Sequence, residues 1–301
     1  MPEEGIALRD KSEFMRQEEL LEIAATFVKL GIKKIRLTGG EPLIKKNFAS
    51  ILHELSKLPV ELAITTNAVL LDQYIADLKK ANVKKLNISL DSLQEKRFNK
   101  ISRRNSFKRI WKNIHLAIEE GFTVKLNVVL IKDFNSDEII DFIQLSQHTQ
   151  IDIRFIEFMP FSGNEWDWSK KVSYQTIRTI AENHFGINNI QSEIAPTNST
   201  SKNFRITGYK GDFGIISTLT NPFCDTCNRI RLTADGKVKN CLFSSDEADI
   251  LTALRNGKAI EPLIQQIIKS KKETRAGIES FTEENGAIIF KKNRSMTTIG
   301  G

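Results

Sequence analysis

Apolar residues recur along this chain in two rhythms. In residues 17–30 (Gln-Glu-Glu-Leu-Leu-Glu-Ile-Ala-Ala-Thr-Phe-Val-Lys-Leu) they return every three to four positions and stop at Gly31, which predicts a helix with a glycine C-cap. Residues 34–38 then read as a strand running into Gly39-Gly-Glu-Pro-Leu43, followed by a helix to about Leu58. Strands are predicted again at 60–65, 85–90, 123–130 and 152–158, with helices over 72–81, 106–120 and from Asn135 to about Ser146. The helix at 106–120 has the clearest apolar face (Phe107, Ile110, Trp111, Ile114, Ala117, Ile118), and Asn135 with Glu138 reads as a capped helix start. Strands alternating with helices in this way indicate a parallel α/β sheet or a TIM-like barrel, whose chemistry gathers at the strand C-termini.

From about Tyr174 the rhythm changes. A helix over 175–184 leads into the polar stretch 196–203, then short strands around the cysteines and helices near 246–255 and 262–270. Residues 170–301 therefore read as a smaller region built onto the sheet of residues 1–169.

Composition narrows the picture. The chain has 301 residues, 40% of them hydrophobic, enough for a sizeable core. It contains no run of 18 apolar residues and starts with no secretory signal, so a cytoplasmic location is the default expectation. A net charge of +7 favours an anionic partner such as a nucleotide. The denser basic group at Lys100, Arg103, Arg104, Lys108, Arg109 and Lys112 has the form of a solvated helix face, which makes nucleic acid the lesser reading.

The chemistry concentrates in Cys224-Asp-Thr-Cys227-Asn-Arg229-Ile-Arg231, closed by Cys241, and these are the three cysteines of the sequence. Residues 229–233 and 238–243 read as strands joined by a turn at Ala234-Asp-Gly236, which returns Cys241 toward Cys224 and Cys227. An odd number of cysteines without a secretory signal points to reduced thiols and a metal. Structural zinc takes four ligands, and the histidines, at 53, 115, 148 and 184, are remote in sequence. A [4Fe–4S] cluster on three cysteines keeps one iron open. Spacing leaves both metals in play, beside ordinary buried thiols. Arg229 and Arg231 alternate along a strand and suit a phosphate or carboxylate, or form a solvated edge.

At the strand ends, Gly39-Gly40-Glu41-Pro42 offers close backbone approach and a carboxylate for an amino group. Thr65-Thr66-Asn67 and Ser89-Leu90-Asp91 suit a ribose or carboxylate, although such residues more commonly cap helices. Lys125 suits a phosphate if it faces inward, and Met159 suits a purine ring, where core filling is the ordinary role. The Ile299-Gly300-Gly301 end would enter a pocket only against the usual fraying of termini.

Taken together, Arg36-Leu-Thr-Gly-Gly-Glu-Pro-Leu43, Thr65-Thr-Asn67, Asn87-Ile-Ser-Leu-Asp91, Arg154-Phe-Ile-Glu-Phe-Met-Pro160, the cysteine set with its two arginines and the Gly300-Gly301 end resemble the MoaA family over nearly the whole chain. That family comprises radical S-adenosylmethionine (SAM) enzymes that cyclise GTP in molybdenum cofactor biosynthesis. The resemblance implies an incomplete (β/α) barrel of the radical SAM type with an iron–sulfur-binding C-terminal extension. It implies that Cys224, Cys227 and Cys241 hold an auxiliary [4Fe–4S] cluster whose open iron binds guanine, that Arg36, Thr65, Lys125, Arg229, Ile230 and Arg231 bind GTP, and that Gly40, Ser89 and Met159 bind SAM. It implies a tail, Gly300 and Gly301, that reaches the active site. A radical made from SAM would take the ribose C3′ hydrogen of GTP, and C3′ would attack guanine C8 to give 3′,8-cyclo-7,8-dihydro-GTP. An electron donor, a downstream cyclic pyranopterin monophosphate synthase and a homodimer are further implied partners.

Two departures stand out. The family binds its SAM-cleaving cluster with Cys-x-x-x-Cys-x-x-Cys, directly followed by residues like Met1-Pro-Glu-Glu-Gly5, where this sequence begins. The expectation is a chain without those ligands or the first barrel strand, inactive alone, with an open, aggregation-prone edge at 34–38. A non-catalytic remnant that binds GTP and one cluster, or a zinc-ribbon nucleic-acid binder, stays open beside the enzyme reading. The second departure is Ala68, where the family usually has glycine.

Overall fold

The computed structural model describes residues 9–161, 166–194, 196–278 and 294. Its first five strands are β1 (Lys34–Leu37), β2 (Glu61–Thr66), β3 (Lys85–Ser89), β4 (Thr123–Leu130) and β5 (Ile151–Glu157), all parallel and in sequence order. The intervening helices are α1 (Gln17–Lys29) before β1, α2 (Phe48–Ser56), α3 (Ile75–Lys80), α4 (Glu95–Ser102), α5 (Phe107–Glu119) and α6 (Ile139–Gln144). α1 and α5 end where Gly31 (φ +99°) and Gly121 (φ +84°) take the left-handed conformation that a Cβ disfavours.

The sheet continues past residue 169. After α7 (Tyr174–Phe185) come β6 (Ile190–Glu193), β7 (Lys202–Ile206) and β8 (Phe213–Ile216). β8 lies parallel to β5, and β7 and β6 add antiparallel outside it, giving eight strands in the order β1-β2-β3-β4-β5-β8-β7-β6. The sheet is open rather than a closed barrel, with β1 at one end and β6 at the other.

Register explains the sequence pattern. On one face Leu62, Ile64, Leu86, Ile88, Val124, Leu126, Val128, Ile153, Phe155, Phe213 and Ile215 pack with the helices into the main core. The other face is polar. One row across the strands is Thr65, Asn87, Lys125 and Asp152, and the next is Ser89, Asn127, Arg154, Gly214 and Asn203. The strict buried/half-buried alternation of β4 and β5 is the signature of a sheet with one such face.

The C-terminal part forms a second layer. β9 (Arg231–Leu232) and β10 (Lys237–Lys239) make the predicted hairpin, to which β11 (Ala248–Asp249) adds antiparallel; α8 (Ile250–Arg255) and α9 (Glu261–Lys269) follow. These strands are shorter than the 229–233 and 238–243 expected, because β9 gives way to the cysteine turn and β10 stops before Cys241. Val238, Ile250, Leu251, Ile260, Ile264 and Ile267 pack against Met15, Ile23 and Phe27, so α1 is shared by both cores. Polar bonds reinforce the seam: Arg255 holds the buried Glu19, and Arg9 pairs with Asp235 at 2.9 Å.

Asn135 does not cap a helix. Its buried amide spans the loops, donating to the carbonyls of Asp91 (2.7 Å) and Val129 (2.9 Å) and accepting from Ile131 N–H. Glu138 likewise turns inward to accept from the Ser92 hydroxyl and Leu93 N–H. Buried polar loops need such partners, and here that need outweighs capping.

Candidate functional site

The polar face of the sheet gathers Arg36, Thr65, Ser89 and Lys125, four of the residues singled out from sequence. Arg36 lies half-buried with its guanidinium 3.5 Å from the Thr65 hydroxyl. Lys125 pairs with Asp152 at 2.6 Å across neighbouring strands. Arg154 joins them. It was quoted within a motif but given no role, although the alternation of β5 puts it on the face of Lys125. Among the described residues Arg154 has no carboxylate within ion-pair distance; burial and the nearby Arg36 hold its guanidinium below the usual range. Burial lowers Arg36 in the same way. Two desolvated cations close enough to repel each other favour an anion between them. Asn127, next to Ser89 and Arg154 in register, has a buried amide oxygen without a hydrogen-bond partner among the described residues.

The strand-end loops are tied to each other. Glu41 was expected to meet an amino group, but its carboxylate accepts from the Thr66 hydroxyl (2.6 Å), Asn67 N–H (2.7 Å) and Leu43 N–H (3.2 Å). It pins the β1 loop to the β2 loop. Thr66 and Asn67 also bond Ala68 and Val69 N–H, so they build the turn. Ala68 sits there fully buried with φ +60°, which supplies the physical reason glycine suits this position. Asp91 accepts from Val129 N–H, and burial pushes its carboxyl up to about 6.

At the cysteines, Cys227 N–H donates to the Cys224 carbonyl at 3.0 Å, closing the turn that carries both thiols. Lys239, two residues before Cys241, pairs with Arg231, four residues after Cys227, at the end of the hairpin ladder. Burial raises the Cys227 thiol, but the Arg229 N–H and guanidinium and the Lys271 ammonium outweigh it, and the net shift is downward. Arg231 is held down by burial and by Arg229, and is favoured by Cys241 and Cys227. Among the described residues no three His, Cys, Asp or Glu side chains converge on one metal position. The donor set is nevertheless all thiol and set among cations that favour thiolate, which suits a soft iron–sulfur centre. The histidines lie elsewhere: His53 on α2, His115 on α5 against Trp111, His148 beyond α6, and His184 on α7.

Other expected residues divide. Met159 and Cys241 meet one apolar cluster with Phe161, Leu219 and Phe243, which joins the end of β5 to the hairpin. Ile230 packs against the second core. Glu157 takes one of the buried positions of β5, on the side of Ile153 and Phe155, and accepts from Leu219 N–H (2.7 Å) and Thr220 N–H (3.2 Å). Gly300 and Gly301 lie outside the described residues. No helix among the described residues is long and apolar enough to cross a membrane.

The pattern of the Radical SAM superfamily matches residues 4–146, and that of Molybdenum Cofactor Synthesis C matches residues 151–277. The chain is 40% identical to Molybdenum cofactor biosynthesis protein 1 of Drosophila melanogaster over 89% of its own length and 47% of the relative. It thus spans about half the length of the animal relatives it matches. It is 40% identical to the mitochondrial GTP 3′,8-cyclase of Arabidopsis thaliana over 100% of this chain and 76% of that protein. The GTP 3′,8-cyclase of Peptoclostridium acidaminophilum is 40% identical over 100% of this chain and 90% of its own. SAM and a [4Fe–4S] cluster are the cofactors that the radical SAM family implies. On a match that spans the whole of this chain, with a radical SAM part and a molybdenum-cofactor part, the chain belongs to the family of the radical SAM GTP 3′,8-cyclases.

Proposed function

We propose that this chain carries the substrate-binding machinery of a GTP 3′,8-cyclase, which joins C3′ of the ribose of GTP to C8 of guanine. The observation that carries this reading is the polar face, where Arg36 and Arg154 stand desolvated beside Lys125. A triphosphate would neutralise all three, and Lys125 would exchange the Asp152 carboxylate for phosphate. Thr65 stands beside Arg36 to help hold the nucleotide. Gly40 and Ser89 at the strand ends, with Met159 beyond β5, would seat SAM; the Asn127 amide oxygen offers an acceptor next to Ser89.

Cys224, Cys227 and Cys241 would hold an auxiliary [4Fe–4S] cluster. When bound, that cluster supplies an open iron for the purine, while Arg229 and Arg231 keep the surroundings cationic. The chain's own task is to fix the phosphates at one end of GTP and the base at the other, so that the ribose lies over the polar face.

Calorimetric titration of the anaerobically reconstituted chain with GTP tests this. Lys125→Met and Arg154→Met should each weaken GTP tenfold or more, about 1.4 kcal/mol, with an unchanged melting temperature. GTP affinity unaltered by both substitutions would overturn the assignment of the phosphates to this face.

A further inference from the structure

The end of α9 reaches both segments that bear the cysteines. Asn240, buried and immediately before Cys241, donates its amide to the Ile267 carbonyl (2.8 Å) and to Ser270 Oγ (3.1 Å). Ser270 caps α9, and the next residue, Lys271, turns its ammonium to Cys227 Sγ (3.3 Å) and the Arg229 carbonyl (3.0 Å). The Arg229 guanidinium also donates to Cys227 Sγ, at 3.2 Å. Cys227 thus receives two cationic donors, whereas among the described residues Cys224 and Cys241 receive none. Arg229 is tethered only two residues from its cysteine. Lys271 comes from a separate element, 44 residues away, that also grips the neighbour of Cys241.

We propose that Lys271 is a positioning residue for the cluster at Cys224, Cys227 and Cys241. It ties the Cys227 turn to the end of α9, which Asn240 ties to the residue before Cys241, so one helix end anchors the segments that carry Cys227 and Cys241. Its N–H bond and charge also draw electron density from the Cys227 sulfur. A hydrogen-bonded, positively flanked sulfur favours the reduced form of a cluster and retains iron more firmly. The proposal rests on the reading that these cysteines hold a cluster, and it adds a residue to which that reading gives no contact with GTP or SAM.

The test uses the 301-residue chain reconstituted anaerobically with iron and sulfide, as wild type, Lys271→Met, Lys271→Arg and Lys271→Gln. Two quantities are read: iron lost to a competing chelator, and the cluster midpoint potential followed by paramagnetic resonance. Lys271→Met should hold iron roughly tenfold to a hundredfold less tightly, with a more negative potential. Lys271→Arg should restore both. Lys271→Gln, which keeps a donor without charge, should also give a more negative potential, and it carries the test if the Met variant does not fold. Wild-type values in both Met and Gln variants would overturn the role of Lys271 and leave the cluster reading intact. A wild-type chain that takes up no iron would overturn the cluster reading, and this proposal with it.

Discussion

On the sheet side, burial outweighs the partners present: the Asp91 carboxyl is pushed up to about 6 against the Val129 N–H, and Arg36 and Arg154 are held down against Glu61 and Asp152, Arg154 with Arg36 adding to the burial. Around the hairpin the carboxylates fare differently. Glu19 is held near 2 chiefly by Arg255. Burial raises Asp235, but Thr233, Arg9 and Arg294 bring it to about 2. Lys239, fully buried, is paired with Glu247 at 3.4 Å, and Arg294 with Glu247 at 3.0 Å. The strands differ in the same sense. The sheet has long parallel ladders over an apolar core, whereas the hairpin has strands of two or three residues and relies on ion pairs and thiols. Charges that shape the fold find partners in the fold. Arg36 and Arg154, left desolvated, are the ones proposed above to meet a triphosphate.

The sharpest way to break the comparison is through the core. Phe155, fully buried and edge-on to Phe142 at 6.3 Å, should cost about 3–5 kcal/mol on truncation to alanine, read by urea unfolding. If the main core and the hairpin layer share one folding unit through α1, circular dichroism and a thiol-accessibility probe at the cysteines will report the same loss. Separate transitions would show that the hairpin layer folds independently.

Acid should divide the two regions by sign. Glu19 and Asp235 have depressed values, so their stabilisation is present above pH about 4.5 and is lost as the pH falls through about 2. Asp91 has a raised value, so its contribution is present below about 3.8 and is lost as the pH rises through about 6. Glu19→Gln should cost about 2 kcal/mol at neutral pH and reduce the acid slope below pH about 4.5. Asp91→Asn keeps an oxygen for Val129 N–H and should flatten the slope between pH about 4 and 6, gaining roughly 1–2 kcal/mol at pH 7. Stability measured from pH 2 to 8 checks both. Parallel slopes in the two variants would show that these regions are not opposed.

The same contrast decides what was legible in the sequence. The five parallel strands and most of their helices were readable because alternation and helical periodicity are local. Arg36, Thr65, Ser89 and Lys125 could be named, but their convergence on one face needed the inter-strand register. Arg154 was overlooked although β5 alternates as strictly as β4, so counting by twos from Asp152 would have found it. α4 was missed because its eight residues bury only Phe98. β8 was missed because Phe213–Ile216 is too short to distinguish from loop, and only its pairing with β5 makes it a sheet strand. Asn135 was misassigned because a residue suited to capping is equally suited to bridging two buried loops. Lys271 was invisible, since nothing around it in sequence signals a sulfur 44 residues away.

The smallest predicted effect concerns the turn that holds the strand ends together. Ala68 has φ +60° and no exposed surface; its N–H donates to the Thr66 hydroxyl and its carbonyl accepts from Asn113 at 2.7 Å. The left-handed conformation costs a residue with a Cβ about 1–2 kcal/mol. Replacement by glycine would release that strain but lose a buried methyl, about 0.8 kcal/mol, and make the unfolded chain freer by about 0.4–1 kcal/mol. These terms nearly cancel, so Ala68→Gly should alter stability by less than about 1 kcal/mol. Ala117→Gly is the control: Ala117 is equally buried but lies within α5, where helix propensity and the lost methyl add to about 2 kcal/mol. A difference between the two of 1 kcal/mol or more would show that the turn imposes the backbone on Ala68. Equal losses would mean that Ala68 relaxes out of the left-handed region, and that the Glu41, Thr66 and Asn113 bonds do not hold the loop as firmly as their geometry implies.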